Sequence, residues 1–158
     1  MDTAGPPYLL PGSYTMSGSG GADVGSFNAS FTLPTVSNPW TNATALVNIA
    51  RTQDLTIAVN PPGDNTALGI IGNSTNSSIG QTGIFTCLIP LGVGSFTIPS
   101  YVLSALPVSS LSTDLGGVPM GLLSVVVLTT NPTKVQAQGV DTGYFDWAQI
   151  FAVNVNFQ

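Results

Sequence analysis

The sequence predicts an all-β fold, an Ig-like antiparallel β-sandwich with one short helix. Several short stretches alternate apolar and polar residues with a period of two, which is typical of half-buried antiparallel strands. Gly, Pro and Asn separate these stretches at intervals of roughly 8–12 residues, as in sandwiches and barrels. Glu is absent and Lys occurs once, so residues that favour helix surfaces are scarce.

The chain length of 158 residues fits one domain. Residues 1–12 are rich in Pro and Gly and are expected to be a linker or an edge segment. Residues 13–158 are expected to form a single β-sandwich domain. Met1 is followed by Asp2 without a basic or an apolar leader region. The chain is therefore expected either to be soluble as given or to be a domain cut from a longer secreted protein.

In the first part of the chain, strands are predicted at 13–17, 26–33 and 55–59, and inner strands at 68–72 and 85–89. The segment 26–33 shows the clearest alternation. Its core-facing residues are all apolar: Phe27, Ala29, Phe31 and Leu33.

In the second part, a helix of about two turns is predicted from Pro99 to Leu106, because Pro favours the first helical turn and Pro107 stops the helix. A polar loop follows at 108–118. A β-branched central strand is predicted at 122–128, and further strands at 134–140 and 152–157.

Two basic and seven acidic residues give a net charge of −5. Nucleic-acid binding needs clustered Lys and Arg, so no nucleic-acid partner is expected. No apolar run reaches the roughly 20 residues of a membrane helix. The chain has no His, which excludes Ser-His-Asp catalysis and the usual zinc ligand sets within one chain.

The remaining motifs contain residue types that could support catalysis, but they are predicted to be turns. We therefore predict no enzyme and no catalytic residue. Asp141-Thr142-Gly143 resembles an aspartic protease loop, but the matching apolar-apolar-Gly element comes before it and not after it. Asp141 and Asp146 could form a glycosidase pair, but nothing fixes their spacing. Lys134 lacks the buried acid, commonly Glu, that an internal isopeptide bond needs.

No cofactor is predicted. Calcium is the one candidate ion, through Asp23 in a Gly-rich loop and Asp64 in a turn. Calcium loops place several Asp or Asn at alternate positions, whereas these acids are isolated. Cys87 has no partner for a disulfide and is expected to be a buried thiol.

Three aromatic residues are the candidates for stacking on a ligand such as a sugar: Trp147, Tyr144 and Trp40. The alternative for each is a place in the core. Arg51 and Asp54 are predicted to form a structural ion pair, with capping of backbone carbonyls as the alternative role for the Arg.

A set of short motifs occurs in order along most of the chain. These are GSYTMSGSGGADVG (12–25), FNASFTLP (27–34), PWTN (39–42), Arg51 followed by LTI (55–57), FTC (85–87), GSFTIPSYVLSALP (94–107), GVDTG (139–143) and VNVNF (153–157). The set resembles an uncharacterised β-rich domain at the C-terminal end of large secreted proteins of Acidobacteria. The resemblance implies secretion and attachment to a larger β-rich chain, and it implies no activity.

Three functions follow as hypotheses. The leading one is a non-catalytic extracellular module, structural or adhesive, with a polysaccharide or a cell surface as partner. The second is a self-assembling filament or sheath subunit, in which an edge strand or the segment from Pro6 to Pro11 adds to a neighbour's sheet. The third is a carbohydrate-binding module.

Overall fold

The computed structural model describes residues 9–61, 63 and 65–158. The described residues form eleven strands, one α-helix and one 3-10 turn, which confirms the all-β class. Their bounds are β1 Gly12–Gly18, β2 Phe27–Leu33, the 3-10 turn Ala43–Ala45, β3 Asn48–Ile49, β4 Leu55–Ala58, β5 Thr66–Asn76, β6 Gln81–Ile89, β7 Ser95–Ile98, α1 Ser100–Ser104, β8 Gly121–Thr129, β9 Thr133–Ala137, β10 Val140–Phe145 and β11 Ala148–Phe157.

The chain groups into two compact units. We call the described residues within 9–36 and 129–147 the hairpin unit, and the described residues within 37–128 and 148–158 the sheet unit. The chain therefore leaves the sheet unit after β8 and returns to it with β11. The expectation of a single domain over 13–158 stays a prediction, as does the Ig-like arrangement.

The hairpin unit contains two antiparallel strand pairs. β1 pairs with β2, from Gly12 opposite Leu33 to Gly18 opposite Phe27. β9 pairs with β10, and Gly139 turns the chain between them at a φ of 84°, which L side chains rarely adopt.

Stacked rings link the two pairs of the hairpin unit. The ring of Phe31 stacks on Tyr14 at a centroid distance of 5.6 Å and on Phe145 at 3.8 Å. The Gly25 N–H also donates to the Gln138 carbonyl at 2.7 Å. The alternating aromatic residues of these strands therefore make a small core of their own.

The sheet unit is built on a five-stranded sheet in the order β3-β11-β8-β5-β6. β8 lies at its centre, as predicted, because its β-branched residues Val125, Val126 and Val127 are all buried. β11 runs antiparallel to β8 and parallel to β3. The sheet is therefore mixed, and the prediction of a purely antiparallel fold is wrong at this one pair.

Most of the fully buried side chains of the sheet unit lie on one face of this sheet. Ile70 of β5 and Leu123 of β8 have no exposed surface, and neither have Ile57 and Ile98 of the separate β4–β7 pair. Helix α1 contributes Leu103, also fully buried. The predicted helix is confirmed, although it is shorter than residues 99–106.

Two other local predictions differ from the structure. The segment 85–89 belongs to an edge strand, whereas the sequence predicted an inner strand. An apolar run alone does not show whether a strand has neighbours on both sides or on one side. The predicted strand 134–140 is divided by the turn at Gly139 into β9 and β10.

Most of the predicted linker or edge segment, residues 1–8, lies outside the described residues, so the strand-addition role of 6–11 is untested there. β1 begins at Gly12. No helix among the described residues is both long and apolar enough to cross a membrane.

Candidate functional site

The most distinctive surface of the sheet unit is the free side of strand β6, which we call the β6 edge (Gln81–Ile89). β6 ends the five-stranded sheet and pairs only with β5, in an unbroken ladder from Leu68 opposite Ile89 to Asn76 opposite Gln81. Among the described residues, no other backbone segment hydrogen-bonds to β6. The edge thus presents a row of backbone donors and acceptors that another strand could pair with.

Two large apolar side chains project from β6 on the face of the sheet opposite the core. Ile84 is 70% exposed and Leu88 is 69% exposed, with Thr86 exposed between them. The core-facing residue Phe85 covers the backbone of Gly72 on β5, where any Cβ would meet its ring. β6 is therefore anchored on one face and open on the other.

The β6 edge carries none of the features that usually protect an edge strand. Natural edges use Lys, Pro, bulges or very short strands to prevent pairing with other chains. β6 has nine residues, a regular register, no Pro and no charge. No charged residue occurs anywhere in residues 65–113.

Hydroxyl pairs cross the solvent faces of three strand pairs. On β1–β2, Thr15 Oγ1 lies 3.2 Å from Ser30 Oγ, and on β4–β7, Thr56 Oγ1 lies 3.3 Å from Thr97 Oγ1. On β5–β6, the two oxygens of Thr75 and Thr82 lie 3.0 Å apart. Neutral hydroxyl pairs thus occupy cross-strand positions that ion pairs fill in many sheets.

Trp40, one of the predicted stacking residues, is 4% exposed and belongs to the core. Its Nε1 donates to Asn42 Oδ1 at 3.0 Å, and the same oxygen accepts from the Ala58 N–H at 3.0 Å. The ring anchors the chain beside Val59, with which Trp40 forms a β-bridge. A residue so enclosed cannot stack on an external ligand, and the core alternative applies.

Tyr144 is the predicted stacking residue that the structure places at the surface, with 62% of the side chain exposed. It lies directly opposite Lys134 in the β9–β10 ladder, so the two side chains share one face. A polar groove of about 440 Å³ runs along β9 and is lined by Lys134, Gln136 and Asp141, among others.

Trp147, another predicted stacking residue, is half-buried and lies after β10 has ended. Its backbone N–H donates to Asp146 Oδ1 at 2.7 Å. Asp141 lies in the register break between Val140 and Gly143, at an irregular point of the hairpin.

Arg51 and Asp54 bind different backbone groups in the structure. Arg51 Nη1 donates to the Leu106 carbonyl at 2.5 Å and to the Ser104 carbonyl at 3.3 Å. Asp54 Oδ1 accepts from the Ser100 N–H at 2.7 Å. Carbonyl capping, the alternative to the predicted ion pair, therefore describes what Arg51 does.

Cys87 lies on the core-facing side of β6 and is half-buried, less enclosed than predicted. Burial raises the pKa of its thiol. No cluster of three metal-ligating Cys, Asp or Glu residues is found in the part of the chain that the structure describes. Asp23 is exposed in the β1–β2 loop, and Asp64 lies outside the described residues.

Neither a protein-family model nor a curated protein nor a solved structure matches this chain.

The β6 edge does not follow from the predicted elements. The apolar run 85–89 predicts an inner strand, although Ile84, Thr86 and Leu88 alternate with Phe85 and Cys87. The available signal was the uncharged run 65–113, because a strand inside such a run has no charge to protect an exposed edge.

Proposed function

We propose that the chain is a non-catalytic extracellular module, an Ig-like β-sandwich with a structural or adhesive role in a larger secreted or surface protein. The observation that supports the proposal is the set of neutral hydroxyl pairs across the solvent faces of its sheets. A surface held together in this way does not depend on the ionic conditions outside a cell.

The hydroxyl pairs are independent of ionic conditions because hydroxyl groups do not titrate in the physiological range and their hydrogen bonds are not screened by salt. Surface ion pairs weaken as salt shortens the screening length, from about 30 Å at 0.01 M to about 3 Å at 1 M. Hydroxyl pairs keep their geometry across this range. A passive module exposed to a changing medium benefits from this property.

Thermal unfolding over that salt range tests the stability part of the proposal. We expect the melting temperature of the intact chain to stay nearly constant or to rise slightly with sodium chloride. A steady fall in the melting temperature as salt increases would show that ionic contacts hold the fold and would contradict the proposal.

Localisation is tested separately in the cells that produce the protein. An antibody raised against the chain should detect it in the medium or on intact, unpermeabilised cells. Detection only after lysis would overturn the extracellular assignment, whatever the salt dependence of the melting temperature.

Carbohydrate binding is the second candidate, and the exposure of Tyr144 beside Lys134 supports it. An exposed aromatic ring with polar neighbours suits the apolar face of a sugar ring. If this candidate holds, Tyr144→Ala should reduce retention on an insoluble polysaccharide. Tyr101→Ala is the matched control, because Tyr101 is also exposed but lies in α1. Equal retention of both variants and the parent chain would remove this candidate.

A further inference from the structure

We infer that β6 pairs antiparallel with β6 of a second copy of this chain, about a two-fold axis at Thr86. The two five-stranded sheets then form one sheet of ten strands. This inference rests on the proposed structural role and names its partner and its contact surface.

The first argument is that the backbone of the β6 edge is available. Strand addition needs an extended segment with free donors and acceptors and without Pro or a bulge. β6 meets these conditions over nine residues, and its ladder with β5 holds it in the required conformation. An antiparallel partner would add about one hydrogen bond per paired residue.

The second argument is that β6 complements itself. In an antiparallel pair centred on Thr86, residue 84 of one copy lies opposite residue 88 of the other. Each exposed Ile84 then contacts an exposed Leu88, on both sides of the axis. On the core-facing side, Phe85 lies opposite Cys87 in the same register.

A register centred on Phe85 instead of Thr86 would place Ile84 opposite Thr86 and Leu88 opposite Thr82. It would therefore separate the apolar side chains that the Thr86 register brings together. Cross-strand apolar pairs stabilise a sheet more than apolar–polar pairs do. The two-fold axis at Thr86 follows from this difference.

The third argument concerns charge. Each copy carries a formal net charge of −5, so two copies repel each other wherever their charged surfaces meet. The run 65–113 has no charge, and β6 lies within it. Contact through β6 brings together the neutral parts of the two copies.

The geometry also limits the assembly to two copies. A two-fold contact uses the same edge of both sheets and is closed. Each β6 edge is used up by the one partner strand that it pairs with, so this contact leaves no β6 edge for a third copy and makes a dimer and not a filament.

Light scattering on the intact chain over a wide concentration range tests the dimer. We expect the mass to rise from 16.1 kDa to twice that value as concentration increases. Ile84→Lys should shift this transition to at least tenfold higher concentration, because it places a charge in the pair with Leu88. A mass that stays at one copy, or that grows beyond two, would overturn the inference.

Ile150→Lys is the matched control. Ile150 is 61% exposed and lies on the same face of the sheet as Leu88. Ile150 is paired with Val126 of β8, and Leu88 is paired with Gly69 of β5. Val126 and Gly69 lie side by side, so all four residues share this face. Edge pairing predicts that this variant dimerises like the parent chain. If both Lys variants were equally impaired, the sheets would associate through their faces, and edge pairing would be wrong.

Disulfide trapping tests the register. In a Cys87→Ser background, Thr86→Cys places two thiols directly opposite each other, at a Cα separation of about 4.5–5.5 Å that a disulfide can span. In this register residue 84 lies opposite residue 88 of the second copy. The two thiols of an Ile84→Cys variant in the same background are therefore four residues apart along the strands, which is about 13 Å. We expect mild oxidation to link the first variant and not the second. The reverse result would overturn the register.

Failure of this inference and failure of the proposed function give different results. If the chain stays monomeric but melts at the same temperature at all salt concentrations, the dimer is contradicted and the structural role remains supported. A dimer found only inside cells would lose the extracellular role and keep the pairing.

Discussion

Arg51 and Asp54 hold opposite ends of helix α1. The Asp54 carboxylate accepts from the N–H of Ser100, the first residue of the helix, and the Arg51 guanidinium donates to the carbonyls of Ser104 and Leu106 at its end. The backbone groups at helix ends lack partners within the helix. A single short loop supplies them at both ends of a helix too short to be stable alone.

Arg51→Ala should therefore destabilise the sheet unit more than Asp54→Ala does. Arg51 makes two charge-assisted hydrogen bonds, each contributing about 1.5–3 kcal/mol, whereas Asp54 makes one, at a helix start where loss of the acceptor costs about 1 kcal/mol. Urea unfolding measures both free energies. Asp54→Asn keeps an acceptor oxygen and should recover most of the loss. If Asn were as damaging as Ala, the hydrogen bond to Ser100 would not be the stabilising contact.

The buried hydroxyls of Ser74 and Ser109 form a directed chain of hydrogen bonds. The Phe157 N–H donates to Ser109 Oγ at 3.1 Å, Ser109 and Ser74 share a bond of 2.8 Å, and Ser74 Oγ donates to the Pro107 carbonyl at 2.8 Å. Because each hydroxyl has one proton, Ser109 must be the donor to Ser74. This chain joins β5, β11 and the segment after α1.

Each single change, Ser74→Ala or Ser109→Ala, should lower the free energy of unfolding by about 1–3 kcal/mol, since it leaves buried polar partners unsatisfied. The double variant should cost clearly less than the sum, because one shared bond is lost only once. A double-mutant cycle in urea measures the difference. Strict additivity would show that the two hydroxyls act independently.

Gly121 and Gly69 offer a matched pair of glycine substitutions in neighbouring strands. A Cβ on Gly121 would meet the Val155 carbonyl oxygen and lie 2.6 Å from Ser109 Oγ, whereas a Cβ on Gly69 would have its nearest neighbour at 3.6 Å. Gly121→Ala should cost about 1–3 kcal/mol or more through overpacking. Gly69→Ala should be close to neutral in the same melt. Equal effects would contradict the close approach at Gly121.

Cys87 gives the fold a pH dependence at alkaline pH. Burial raises the pKa of the folded thiol above its unfolded value. The associated stability is therefore complete below the unfolded pKa and is lost as pH rises through the folded one. Urea unfolding at a series of pH values should show a decline that begins above about 8.5, the ordinary thiol pKa. Cys87→Ser should remove that part of the decline, and parallel curves for the two proteins would contradict this origin.

Much of the fold followed from local pattern. The alternation in 26–33 and the β-branched run in 122–128 predicted β2 and β8, because burial on one or both faces leaves a direct trace in the sequence. Pro99 and Pro107 similarly bounded α1. Strand order left no such trace, so the edge position of β6 and the parallel β3–β11 pair could be found only in the structure.

The candidate site was predicted only in part. Of the predicted stacking residues, Tyr144 lies at the surface and its ligand stays a prediction, whereas Trp40 lies in the core. The residues around Trp40 in the sequence do not show whether a distant segment encloses its ring. In the structure Val59 does so through a β-bridge. The burial of Trp40 depends on residues distant along the chain, and the same holds for the separate partners of Arg51 and Asp54.

The place of β11 in the sheet has a consequence for synthesis on the ribosome. β11 lies between β3 and β8, and its residues Val155 and Phe157 are fully buried. A nascent chain that ends at residue 129 already contains β3 and β8, yet it lacks the strand that joins them. The five-stranded sheet therefore closes only after the hairpin unit and β11 have been translated, and until then the apolar β8 strand has one side without a partner.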